Sequence, residues 1–164
     1  MSIKILARAF AVTAMAALLF AASQSPAATA RIVPGKGIVG VAIGASMKHV
    51  REVLGTPDRI RPPSWGYGAP LRGRVSFDHK RRVSDVWTIS QQQRTPRGIG
   101  PGSSLARVKG AYPRARCHGR RAHKICIVDG RLGKRRVRTD FLFHGRLWKV
   151  DVYLLPAKVK PGPS

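Results

Sequence analysis

Cys117 and Cys126 are the two cysteines of the chain, and His118 and His123 lie in the loop between them. Two thiols and two imidazoles so placed can do two things. In an oxidising compartment the thiols pair as a disulfide; alternatively the four donors hold zinc. The spacing argues against the metal. His118 adjoins Cys117, and eight residues separate the cysteines, so the C-x₂₋₄-C pair of a zinc finger is missing. Arg120, Arg121 and Lys124 in the same window repel a dication. The preferred reading is a disulfide, Cys117–Cys126, with no metal site.

The other groups with acid–base or nucleophilic potential are dispersed. Glu52, Asp58, Asp78, Asp85, Asp129, Asp140 and Asp151 stand singly, and no two are spaced as an acid/base pair. The five histidines occupy separate segments without a metal-binding repeat. There is no G-x-S-x-G, P-loop or dinucleotide fingerprint, and a disulfide leaves no thiol nucleophile. The sequence therefore predicts no catalytic residue and no cofactor.

The first thirty residues bear on where this chemistry happens. Lys4 and Arg8 precede an apolar run, Ala9–Ala22, broken by Thr13 alone, and Ala28-Thr29-Ala30 ends it with small residues. This is the pattern of a cleavable secretory signal. The run is shorter than the ~20 residues a membrane-spanning helix needs, so no transmembrane anchor is expected after cleavage. No cysteine stands near the cleavage position to accept a lipid, and no twin arginine precedes the run. The expected location is secreted or extracytoplasmic: extracellular, periplasmic or held at the cell envelope.

Removing Lys4 and Arg8 leaves 29 basic residues against 7 acidic ones. A surplus of that size attracts polyanions and does so in a salt-dependent way. The basic residues are mostly arginine and are scattered, with no basic helix and no RNA-binding aromatic signature. Export also disfavours nucleic acid as the partner. An unidentified extracytoplasmic protein or an anionic polymer is expected instead.

Self-comparison supplies the elements that must position these groups. Gly40–Leu54 matches Gly98–Tyr112 at an offset of 58, pairing Gly44 with Gly102, Ser46 with Ser104, Met47 with Leu105 and Val50 with Val108. Phe77–Val86 matches Phe141–Val150 at an offset of 64. Ser46 and Ser104 read as N-caps of short helices whose apolar stripes are Met47, Val50, Leu54 and Leu105, Val108, Tyr112. Gly98-Ile99-Gly100-Pro101-Gly102 is then a structural turn, because its counterpart at Gly40 is one. The second blocks alternate with period two. Phe141–Leu154 reads as a hairpin turning at His144-Gly145. A two-residue turn there places Phe141 and Phe143 with Trp148, Val150 and Val152. It sets Asp140 against Lys149 on the other side, beside Leu142, Leu147 and Tyr153. Val75–His79 and Val83–Ile89 form the hairpin of the first copy. Shorter strands are expected near 114–118 and 124–128.

A capped helix and hairpin repeated in tandem resembles the β-lactamase inhibitor protein (BLIP) fold, whose unit also occurs singly in small outer-membrane-assembly lipoproteins. The likeness is carried by Ile43-Gly44-x-Ser46-Met47-x-x-Val50-x-x-x-Leu54-Gly55-x-Pro57. It is echoed by Pro101-Gly102-x-Ser104-Leu105-x-x-Val108-x-x-x-Tyr112-Pro113, with Arg82-Val83 and Arg146-Leu147 in the hairpins. It implies an α+β fold: two tandem copies of a short helix pair, each packed on an antiparallel sheet of about three to four strands. The units would be 35–90 and 98–155, joined by a linker 91–97 and followed by a flexible tail 156–164. The cysteines fall where tandem members of that family carry a disulfide. The first copy lacks cysteines, and no inhibitor contact residue aligns onto this chain.

The resemblance implies a non-catalytic binding module that engages a protein through a sheet face or rim. The partner-contact candidates are the aromatics expected away from the helices. Trp65 and Tyr67 belong to the Pro62–Gly68 loop or hairpin rim, and Trp87 and Tyr153 lie opposite Val86 and Val152.

Overall fold

The glycine-rich stretch ahead of the first capped helix, which the sequence reads as a short helix or turn, forms short strands and turns and no helix. In the computed structural model, which describes residues 31–156, β1 (Ile32–Val33), β2 (Gly37–Ile38) and β3 (Val41–Ala42) make a small antiparallel sheet. The expected signal segment and residues 157–164 of the tail lie outside the described residues. Nucleating a helix fixes several residues for one hydrogen bond, and positive φ at Gly35, Gly40 and Gly44 punctuates this stretch too often for one to start.

Ser46 and Ser104 cap their helices as the repeat predicts. Ser46 Oγ accepts from the His49 N–H at 3.2 Å at the start of α1 (Met47–Leu54). Ser104 Oγ accepts from the Arg107 N–H at 3.3 Å at the start of α2 (Leu105–Ala111). Gly55 ends α1 with φ 78°, a conformation that suits glycine. Val50 and Val108 are the fully buried members of the two stripes.

The strands that follow each helix do not form two separate sheets. After α1 come β4 (Arg59–Arg61), β5 (Ser64–Tyr67), β6 (Gly73–Phe77) and β7 (Val83–Thr88). After α2 come β8 (Arg116–Arg120), β9 (His123–Leu132), β10 (Arg135–His144) and β11 (Arg146–Leu154). They join as one antiparallel sheet of eight strands in the order β4-β5-β6-β7-β11-β10-β9-β8. The expectation of tandem helix pairs on small sheets is thereby overturned: each copy has one helix, and the molecule is dominated by one wide sheet. The seam explains the difference. β7 pairs with β11 from Asp85↔Tyr153 to Thr88↔Val150, so two edges that separate sheets would leave open satisfy each other. The segment 91–97 is packed in as well. Gln93 and Thr95 are buried, Gln93 Nε2 donates to the Pro70 carbonyl, and the Ile32 N–H donates to the Arg94 carbonyl.

Both helices and the small sheet cover the same face of the wide sheet. That face presents Trp65, Val75, Val86, Val152 and Thr139 in one cross-strand row and Phe141, Val150 and Thr88 in the next. Phe141 is fully buried and stacks on Tyr112 at 5.3 Å between ring centres. Thr139 Oγ1 accepts from the Gly35 N–H of the β1–β2 turn at 2.8 Å. Cys117 and Cys126 are direct cross-strand partners on this face, joined as the expected disulfide.

One detail of the β10–β11 hairpin corrects the expected facing. The register shifts between Leu142 and Phe143, so Phe143 pairs with Leu147 while Leu142 pairs with Lys149. This bulge turns Leu147 inward, 1% exposed, and puts Trp148 outside at 49% exposed. It also changes the partner of Asp140, which lies opposite Asp151 and not opposite Lys149.

Candidate functional site

No helix or second sheet among the described residues packs on the opposite face of the wide sheet. Its side chains can be read as rows, because cross-strand partners share a face. One row crosses all eight strands: Arg59, Gly66, Arg74, Trp87, Asp151, Asp140, Ile127 and Arg116. The next runs Arg61, Ser64, Ser76, Asp85, Tyr153, Arg138 and Asp129. The face is basic at the β4 side, carries carboxyl groups and aromatics at its centre, and alternates in charge toward β8.

The centre brings together carboxylates that are far apart in sequence. Asp151 lies beside both Asp85 and Asp140. Burial, and then the neighbouring charge of Asp151 and a hydrogen bond to it, push the Asp85 carboxyl up to about 7. Lys149 and Arg74 pull in the other direction without cancelling this. Protonated Asp85 can donate to Asp151, whose Oδ1 is buried and has no other partner, while Lys149 Nζ donates to Asp151 Oδ2 at 2.9 Å. Asp140 is 8% exposed. Burial raises its pKa against the pull of the Tyr153 hydroxyl, which donates to Asp140 Oδ2 at 2.9 Å. Farther along, Asp129 accepts from Arg116 at 2.6 Å and from Arg138 at 3.0 Å, which holds its carboxyl below the usual range.

This grouping was missed in the sequence because the three carboxylates reach one another only through the β7–β11–β10 register. Chemically it is a proton-sharing pair on an open face, with an ammonium already in place. Among the described residues no three histidine, cysteine or acidic side chains are placed to hold a metal ion. The nearest imidazole pair, His123 and His144, sits at a hairpin end with ring centres 4.6 Å apart.

The four aromatic candidates divide. Trp87 and Tyr153 lie on the open face beside the carboxyl cluster, as expected. Arg74 and Lys149 approach the Trp87 ring to 5.5 and 5.3 Å. Trp65 and Tyr67 do not form an exposed rim. They belong to β5 on the covered face, 5% and 8% exposed, and Trp65 packs edge-on against Phe77 at 4.7 Å with Arg51 over its ring. The Pro62-Pro63 turn delivers β5 directly into the sheet, which buries both rings and withdraws them as partner contacts.

No protein family and no curated protein matches the sequence. Two solved structures match. One is a DUF4309 family protein (YjgB) from Bacillus subtilis, at 11% identity and a TM-score of 0.50, covering 79% of this chain and 90% of that one. The other is an extracellular protein containing an SCP domain from Bacillus anthracis, at 13% identity and a TM-score of 0.49. It is matched over 79% of this chain, which spans only 54% of it. Neither is described as a β-lactamase inhibitor or an assembly lipoprotein, and at 11% identity the likeness to the DUF4309 family protein is one of fold alone. The formed disulfide is compatible with an extracytoplasmic location. Among the described residues no helix is long and apolar enough to cross a membrane.

Proposed function

We propose that the chain is an exported, non-catalytic binding module that engages a protein partner through the open face of its wide sheet. One observation carries this reading. Four of the seven carboxylates of a strongly cationic chain, Asp85, Asp129, Asp140 and Asp151, stand on that face with Trp87 and Tyr153, and among the described residues no helix covers it. Half-buried aromatic and hydrogen-bonding groups without a covering element are what a partner surface completes. The carboxyl pair supports recognition better than turnover. A cavity on this face is lined by Arg59, Arg61, Arg74 and Trp87, and the three clustered aspartates are not among its lining residues.

The test is affinity capture from the native cell envelope and culture supernatant, at low and then moderate salt. A specific protein partner is retained at moderate salt by the parent and released by Tyr153→Ala. Capture that disappears with salt alone, and equally from parent and variant, replaces this reading with that of a cationic binder of anionic polymers.

A further inference from the structure

The β4 side of the open face carries a second arrangement that the partner reading does not use. Arg59 and Arg61 of β4 and Arg74 of β6 stand around Ser64 and Gly66 of β5. Gly66 lies between Arg59 and Arg74 in register, so no side chain fills the gap. A trough of about 660 Å³ opens here, lined by the three arginines, Ser64, Gly66 and Trp87 among others. Arg74 is held by its approach to the Trp87 ring, which leaves its N–H edge available to an acceptor. Among the described residues none of the three arginines forms an ion pair. The one carboxylate lining the trough, Asp58, accepts the Gly68 N–H. Three arginines share this trough with one carboxylate, so its charge is net positive, and an anion seated among the guanidinium groups is attracted.

We propose that this trough binds an oxyanion of a linear anionic polymer, a carboxylate or a phosphodiester. Arg74 grips it through two N–H groups, while Arg59 and Arg61 supply further charge. A polymer fits because β4 is the edge of the sheet, so a chain can run past the trough and out of it. The net positive charge of the molecule concentrates such chains nearby. The site does not depend on a protein docking at the centre of the face, so its failure leaves that reading standing.

Calorimetric titration of the folded protein with inorganic polyphosphate and with polygalacturonate, at about 150 mM salt to screen the diffuse field, tests it. Saturable binding is expected, and the tighter polymer identifies the source of the oxyanion. Arg74→Gln should weaken binding about tenfold, the worth of one charge-assisted pair. Arg107→Gln on α2 removes the same charge from the covered side and should cost less than about twofold. Trp87→Leu leaves the charge unchanged and should cost about threefold through loss of the ring that holds Arg74. Equal losses from Arg74→Gln and Arg107→Gln, unsaturable binding, or no binding to either polymer overturns the site. If Trp87→Leu melts prematurely, the two arginine variants decide alone.

Discussion

Asp85 carries the clearest consequence at the scale of single residues. Its carboxyl titrates near 7 in the folded protein, against an ordinary value of 3.8. Between those values the folded state holds a proton that the unfolded chain has released. Stability therefore falls as pH rises through that window and levels off above it. Asp85→Asn removes the titration. It should leave the melting temperature nearly unchanged at pH 4 and stabilise by on the order of 2 kcal/mol at pH 8, as thermal melts at the two pH values will show. A variant equally stabilised at both values would mean that burial of the side chain, and not its ionisation, sets the effect. None of this was legible in sequence. Asp85 and Asp151 are separated by 66 positions, and spacing alone cannot reveal a pair made by strand register. The placement of Trp87 and Tyr153 was legible, because each alternates with a buried valine, Val86 and Val152.

At the scale of elements, the repeat located both helices and their serine caps, and period-two alternation located the hairpins. The phase of the last hairpin escaped it. Leu147 and Trp148 are both apolar, so the pattern cannot say which one turns inward, and the bulge at Leu142–Phe143 decides. Leu147→Ala should accordingly cost about 2–4 kcal/mol, whereas Trp148→Ala should cost less than about 1, measured by denaturant melts. The reverse order would restore the unbulged hairpin. Trp65 and Tyr67 escaped for another reason. Flanking prolines and glycines read as a loop or tight hairpin rim, yet both rings are buried, with Trp65 packed against Phe77 and under Arg51 of α1, and the segment pairs as a strand of the sheet. Gly130 on β9 is a further element-scale constraint. A side chain there would meet the Gly35 Cα of the β1–β2 turn at 2.9 Å. Gly130→Ala should destabilise by roughly 1–3 kcal/mol by prising the small sheet away from the wide one, a loss that amide exchange at Ile32 and Ile38 would localise.

At the scale of the molecule, the two copies share one sheet and one buried cluster. A single unfolding transition is expected, with tryptophan fluorescence and far-ultraviolet dichroism changing together. Two separated transitions would mean that the β7–β11 seam is weaker than its ladder suggests. The sequence showed two copies but not their fusion, because nothing in either copy marks the strand that will meet the other. Among the described residues the wide sheet still ends in two unpaired borders. β4 is three residues long, bears Arg59 and Arg61, and is followed by two prolines. β8 bears Arg116, His118 and Arg120 and is fastened to β9 by Cys117–Cys126. Short, charged borders discourage self-association. The disulfide thus has a second effect beyond the ~2–3 kcal/mol expected for closing its loop. It keeps β8 in place as a cationic shield over the longer strand behind it, where Ile125 and Ile127 alternate with Cys126 and Val128. Reduction should leave that strand free to template pairing between molecules, so light scattering should rise with thiol reagent even below the melting temperature.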